Sequence, residues 1–121
     1  MPKISVTKCF GFEAAHHLPN YKGACSRLHG HSYKLQVTVS GSVDEVTGMV
    51  IDFNILKSIV KERVVDKYDH QLLNDFFVNP TAENMVQRIF EDLNIAFTHF
   101  GLTVESVKLW ETESSFAECR R

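Results

Sequence analysis

The sequence is poor in the features that would assign it to a specialised class. Three cysteines, Cys9, Cys25 and Cys119, are too few and too scattered for a disulfide framework, and an odd count leaves one unpaired. No apolar run approaches the roughly twenty residues that span a bilayer. Met1-Pro2-Lys3 leads into an alternating segment rather than the apolar core of a signal peptide, so the cytoplasm is the expected compartment. Excess positive charge is also missing. Lys and Arg total 13 against 15 Asp and Glu, a net charge of -2, which provides no basic field for a nucleic-acid backbone or an anionic membrane. A small-molecule substrate suits this surface better. There is no internal repeat, low-complexity tract or linker, and 44% hydrophobic residues mark a globular chain read as one domain over 1–121.

What is present is a concentration of ligating side chains in Cys25-Ser-Arg-Leu-His29-Gly-His31, a thiol and two imidazoles within seven residues. His29 and His31 are two apart, so in an extended segment they share a face and both rings can reach one ion. Imidazole suits a borderline metal such as zinc, but two histidines alone make an incomplete site. A third ligand is available upstream in Phe12-Glu13-Ala14-Ala15-His16-His17, where only one of the two histidines can face the same side as the pair. Cys25 is either a fourth ligand closing a structural site or a thiolate beside an open catalytic one. The spacing leaves both readings standing.

Along the chain, residues 4 to 15 alternate with a period near two and read as a first strand, and Tyr33, Leu35, Val37 and Val39 mark a second over Ser32 to Ser42. The loop between them must fold back to bring His16 to His29. Asp52 can cap a helix carrying Ile55, Leu56, Ile59, Val60 and Val64 and ending near Asp66. Thr81, with Glu83 in the first turn, opens a second helix through Met85, Val86, Ile89, Phe90 and Leu93, with His99 near its end. Between the helices lies Asp69-His70, an acid beside an imidazole. Val104 to Glu111 reads as a third strand and a short fourth reaches Cys119, while Cys9 and Cys119 are read as packing residues. Glu111 shares the apolar face of Val107 and Leu109, where an acid is costly unless it is paired or binds something. The order ββααββ predicts an α+β fold, a four-stranded antiparallel sheet with two helices on one face and two open edges through which protomers can join.

Taken together, Phe12-Glu13-Ala14-Ala15-His16, Cys25-x-x-x-His29-Gly-His31, Thr47-Gly48-Met49-Val50-Ile51-Asp52-Phe53, Asp69-His70 with Leu73-Asn74, Pro80-Thr81-Ala82-Glu83-Asn84 and Glu111-Thr112 carry a resemblance over nearly the whole chain. It resembles the 6-pyruvoyltetrahydropterin synthase and 6-carboxytetrahydropterin synthase family, of the tunnelling fold. The resemblance implies that His16, not His17, joins His29 and His31 as a zinc ligand, leaving a position open for substrate. It implies Cys25 as proton acceptor, Asp69 and His70 as an acid-imidazole relay, Glu111 as the pterin anchor and Thr81 as a neighbour of the pterin pocket. It further implies 7,8-dihydroneopterin triphosphate as substrate and a homohexamer of two edge-to-edge trimers. Three residues separate Cys25 from His29, as in the carboxytetrahydropterin synthases of queuosine and deazapurine biosynthesis. The expected products are therefore 6-carboxy-5,6,7,8-tetrahydropterin, acetaldehyde and triphosphate. The alternatives are a pyruvoyl product formed by internal redox and, in another class, a non-catalytic zinc- or pterin-binding module.

Overall fold

The computed structural model describes residues 2–121. Strand β1 (Ile4–His16) and strand β2 (His29–Gly41) pair antiparallel without a break, from Ile4 opposite Gly41 to His16 opposite His29. The alternation of their sequences decides what each face does. Phe12 and Ala14 of β1 and Tyr33, Leu35, Val37 and Val39 of β2 are buried. Each fully buried aliphatic or aromatic side chain of this kind contributes roughly 1.5–3 kcal/mol relative to exposure. Strand β4 (Thr103–Thr112) continues the sheet beside β2 with Val104, Val107 and Leu109 facing the same core, and β5 (Ser115–Arg120) pairs with β4.

The helices cover that apolar face. Helix α1 (Phe53–Val60) starts where the Asp52 carboxylate accepts from the Asn54 amide at 2.7 Å. It runs on through a π-helical turn (Lys61–Val65) into a last turn, α2 (Asp66–Tyr68). Leu56, Val60, Val64 and Tyr68, four residues apart each time, form one fully buried stripe. Helix α3 (Ala82–Thr98) buries Met85, Val86, Ile89, Leu93, Ala96 and Phe97 and closes at Gly101, whose φ of 71° is the left-handed conformation that ends many helices. At its start the Thr81 hydroxyl accepts from the Asn84 amide at 3.1 Å. Replacing such a cap typically costs about 1 kcal/mol, so Thr81→Ala is expected to lower the unfolding free energy by that amount in urea titrations.

The α+β class and the two covering helices match the sequence expectation, but the sheet does not. It has five strands in the order β3-β1-β2-β4-β5 and is mixed rather than wholly antiparallel. The extra strand, β3 (Gln71–Leu72), lies parallel to β1 at Ala14 and Ala15 and falls between the helices in chain order. Two residues are too few to show a period of two, so its pairing exists only through tertiary contact. Pairing also lengthens β1 by one residue, to His16, and starts β2 three residues early, at His29, because these ends close the ladder. Cys9 is exposed on the uncovered face, not packed, whereas Cys119 lies against the core. That uncovered face is mostly polar, carrying Thr7, Glu13, Lys34 and Gln36, with Trp110 and Phe116 in contact at 4.6 Å between ring centroids.

Candidate active site

The β1–β2 register assembles the histidine cluster. His16 stands opposite His29, and His31 opposite Ala14, so all three rings project from the helix-covered face at one end of the sheet. One nitrogen from each lies within 4.8 Å of the others, and among the described residues this is the group able to hold a metal ion. His17, next along the strand, is not in it. His16 is fully buried and its Nδ1 lies 2.8 Å from the Pro80 carbonyl, while His29 Nδ1 lies 2.7 Å from the Arg27 carbonyl. A carbonyl can only accept, so both Nδ1 atoms carry the proton and donate. The two Nε2 atoms face each other at 3.0 Å, and in a neutral ring whose Nδ1 carries the proton Nε2 is the atom left to ligate a metal. Burial holds His31 below the usual imidazole range, with the neighbouring His16 and His29 acting the same way and Glu111 opposing them. A His31 that resists protonation stays available as a ligand at neutral pH. Three imidazoles converging in this way are a donor set that fits zinc.

Glu111 lies against this cluster. Its Oε1 is 3.3 Å from His16 Nε2 and 3.5 Å from His31 Nε2. The alternation of β4 puts the carboxylate on the same face as Val107 and Leu109, and the face ends at the histidines. On its other side Glu111 lines a cavity of about 450 Å³ with Ala82, Glu83, Ser115 and Phe116. The first turn of α3 thus borders the cavity, but Thr81 itself is not among the lining residues and its hydroxyl is engaged in the cap.

Asp69 and His70 sit at the β1 edge. Asp69 Oδ1 accepts from the Glu13 amide at 2.9 Å, the His70 amide donates to the Glu13 carbonyl, and Asp69 Oδ2 is 3.0 Å from His70 Nδ1. The Glu13 amide first, and the His70 ring second, hold the Asp69 carboxyl below the usual carboxylate range. His70 has φ of 60°, a left-handed backbone that costs on the order of 1–3 kcal/mol in a residue other than glycine. The contacts to Glu13 on one side and the β3 pairing on the other hold it there. Its side chain is 78% exposed and, with His31, Glu13 and Ser32, lines a cavity of about 510 Å³.

Cys25 is half-buried in a single 3₁₀ turn (Ala24–Ser26), where its carbonyl accepts from the Leu18 amide at 2.8 Å and folds the loop back. Its sulfur is outside the metal-holding group. The sequence reading gave several supports no role. Asn74 clamps the backbone next to His16, accepting from the His17 amide at 3.0 Å and donating to the His17 carbonyl at 2.9 Å. The Pro80 and Arg27 carbonyls carry no signal in residue type. Tyr33 packs at the base of the cluster, 3.4 Å from His16 Nδ1, and its place on the histidine face could have been read from the i, i+2 spacing to His31.

The chain is similar to known proteins along nearly its whole length. The family model described as 6-pyruvoyl tetrahydropterin synthase matches residues 5–121. A relative from Archaeoglobus fulgidus, provisionally assigned as a 6-carboxy-5,6,7,8-tetrahydropterin synthase, is 47% identical over 110 residues, covering 91% of this chain and 90% of its own. A Haemophilus influenzae protein named 6-carboxy-5,6,7,8-tetrahydropterin synthase is 37% identical over 140 residues, 95% of this chain and 97% of its own. The structure of the Caenorhabditis elegans 6-pyruvoyl tetrahydropterin synthase superposes with a TM-score of 0.88 at 28% identity, over 100% of this chain and 97% of that one.

Proposed function

From its place in the 6-pyruvoyl tetrahydropterin synthase family, to which this chain belongs, we propose that it is a zinc-dependent 6-carboxytetrahydropterin synthase acting on 7,8-dihydroneopterin triphosphate. The observation that carries this reading is the convergence of His16, His29 and His31 on one point with Glu111 beside them. Bound zinc would act there as a Lewis acid on the side-chain hydroxyls of the substrate, easing removal of the adjacent protons. Glu111 accepts two hydrogen bonds from the amino-pyrimidine edge of the pterin, which accounts for an acid on an apolar strand face. Cys25 accepts a proton from the substrate side chain. His70 carries a second proton, with Asp69 fixing its ring through Nδ1.

The product follows from the three-residue spacing between Cys25 and His29, which is that of the carboxytetrahydropterin synthases; the names of the A. fulgidus and H. influenzae relatives support the same outcome. A longer loop in the animal-type pyruvoyl synthases would place the thiol differently over the side chain. Cleavage, with one water supplying the second carboxylate oxygen and the side chain giving up two electrons to the dihydropterin ring, then releases a two-carbon fragment as acetaldehyde and leaves a carboxylate, and this product belongs to the queuosine and deazapurine route. Mass analysis of the pterin together with an acetaldehyde assay is expected to find both products in equal amounts. A pyruvoyl pterin formed without acetaldehyde would refute the carboxylate reading.

The exposed His70, the outer edge of β5 and the part of β1 that β3 leaves unpaired support a homo-oligomer, a hexamer of two edge-to-edge trimers, with pockets completed where chains meet. Light scattering is expected to give a mass six times that of the chain. A monomer at micromolar concentration would exclude it.

A further inference from the structure

Resting on the zinc reading above, we propose that Asn74 is a positioning residue for the metal, a side-chain amide that stands in for a missing strand and fixes the backbone beside His16. The β1–β3 ladder ends at Ala15 opposite Leu72, one residue short of this ligand, and the β1–β2 ladder ends at His16 opposite His29. Neither ladder reaches His17. There Asn74 Oδ1 accepts from the His17 amide at 3.0 Å and Asn74 Nδ2 donates to the His17 carbonyl at 2.9 Å, the two kinds of bond that a neighbouring strand makes. A side-chain amide can accept and donate at once, whereas a carboxylate at neutral pH can only accept.

The support behind Asn74 is firm. Leu73 is fully buried and its carbonyl accepts from the Phe76 and Phe77 amides, both at 3.0 Å, which ties the 3₁₀ turn Leu73–Asp75 to the core. At the other end of the same stretch the Asp69 side chain and the His70 amide grip the backbone of Glu13. Residues 69–74 therefore form a splint along Glu13 to His17, with Asp69 and Asn74 supplying side-chain bonds where the two-residue β3 runs out. His16 lies between the last β3 rung and the Asn74 clamp. The next residue, Leu18, donates its amide to the Cys25 carbonyl at 2.8 Å, so the clamp also fixes the point from which the Cys25 loop departs. Without it, the backbone beside His16 regains freedom that metal binding must remove again. A tenfold loss of affinity corresponds to about 1.4 kcal/mol, which is the order of the cost of fixing one residue's backbone.

The test measures zinc affinity by chelator competition and the visible absorption of the cobalt(II)-loaded protein, in the full chain with no pterin present. Asn74→Ala removes both bonds to His17, and Asn74→Asp keeps the acceptor but loses the donor. Asp52→Ala, which breaks the cap of α1, is the control for lost stability on another element. Asn74→Ala is expected to lose tenfold or more in zinc affinity, the scale on which outer supports of metal ligands act, and to shift the cobalt absorption, with Asn74→Asp between it and the wild type. Asp52→Ala is expected to melt at a lower temperature yet keep wild-type affinity and spectrum. Amide exchange at His17 should also quicken in metal-free Asn74→Ala. If Asn74→Ala does not fold, Asn74→Asp carries the comparison. Wild-type affinity and spectrum in the folded Asn74 variants would overturn the proposal and leave the three-histidine site intact. An equal loss of affinity in Asp52→Ala would overturn it too, since the effect would then be one of general stability. A wild-type protein that takes up neither zinc nor cobalt would instead overturn the metal reading itself.

Discussion

Cys25→Ala is expected to keep its metal and its fold and to lose about 10²- to 10⁴-fold in turnover, the usual range for removal of a general base. The residue sits in a one-turn 3₁₀ segment whose hold on the loop is made by backbone, the Cys25 carbonyl accepting from the Leu18 amide, so truncating the side chain leaves that contact in place. Its sulfur lies outside the group able to hold the ion, so zinc content should stay at that of the wild type. Rate measurements with dihydroneopterin triphosphate, paired with metal analysis of the same samples, separate the roles. Near-normal turnover would transfer the base function to His70, and loss of zinc would make Cys25 a ligand and the site a closed one.

His29→Ala produces the opposite pattern, with most of the metal gone. Of the three imidazoles His29 is held by the shortest contact, 2.7 Å from Nδ1 to the Arg27 carbonyl, and it opposes His16 across the last rung of the β1–β2 ladder. Its loss leaves two nitrogens and takes away a ligand that needs no rearrangement to bind. A ligand present at a hundred times its dissociation constant stabilises the folded state by about 2.7 kcal/mol. A chelator should therefore lower the melting temperature of the wild type and leave that of His29→Ala unchanged. Full zinc occupancy in the variant would rule out the three-histidine site.

Much of this protein was legible from local pattern. The period-two runs located β1, β2 and β4 to within a few residues, the Ser114-Ser115 turn placed β5, and the Asp52 and Thr81 caps marked the starts of α1 and α3. The HxH spacing put His29 and His31 on one face, because side-chain direction in a strand is a property of the backbone alone. Which of His16 and His17 joined them was left open by residue spacing and came only with the family resemblance. The structure brings His16 to the cluster through the β1–β2 register, a pairing between residues distant in sequence. The two-residue β3, the contact of Glu111 with the histidines and the Asn74 clamp beside His16 had no local signal either. Each depends on atoms supplied by another segment. Chain periodicity reports how a segment divides between core and surface, whereas ligand tautomers, carboxylate placement and strand order are decided when those segments meet.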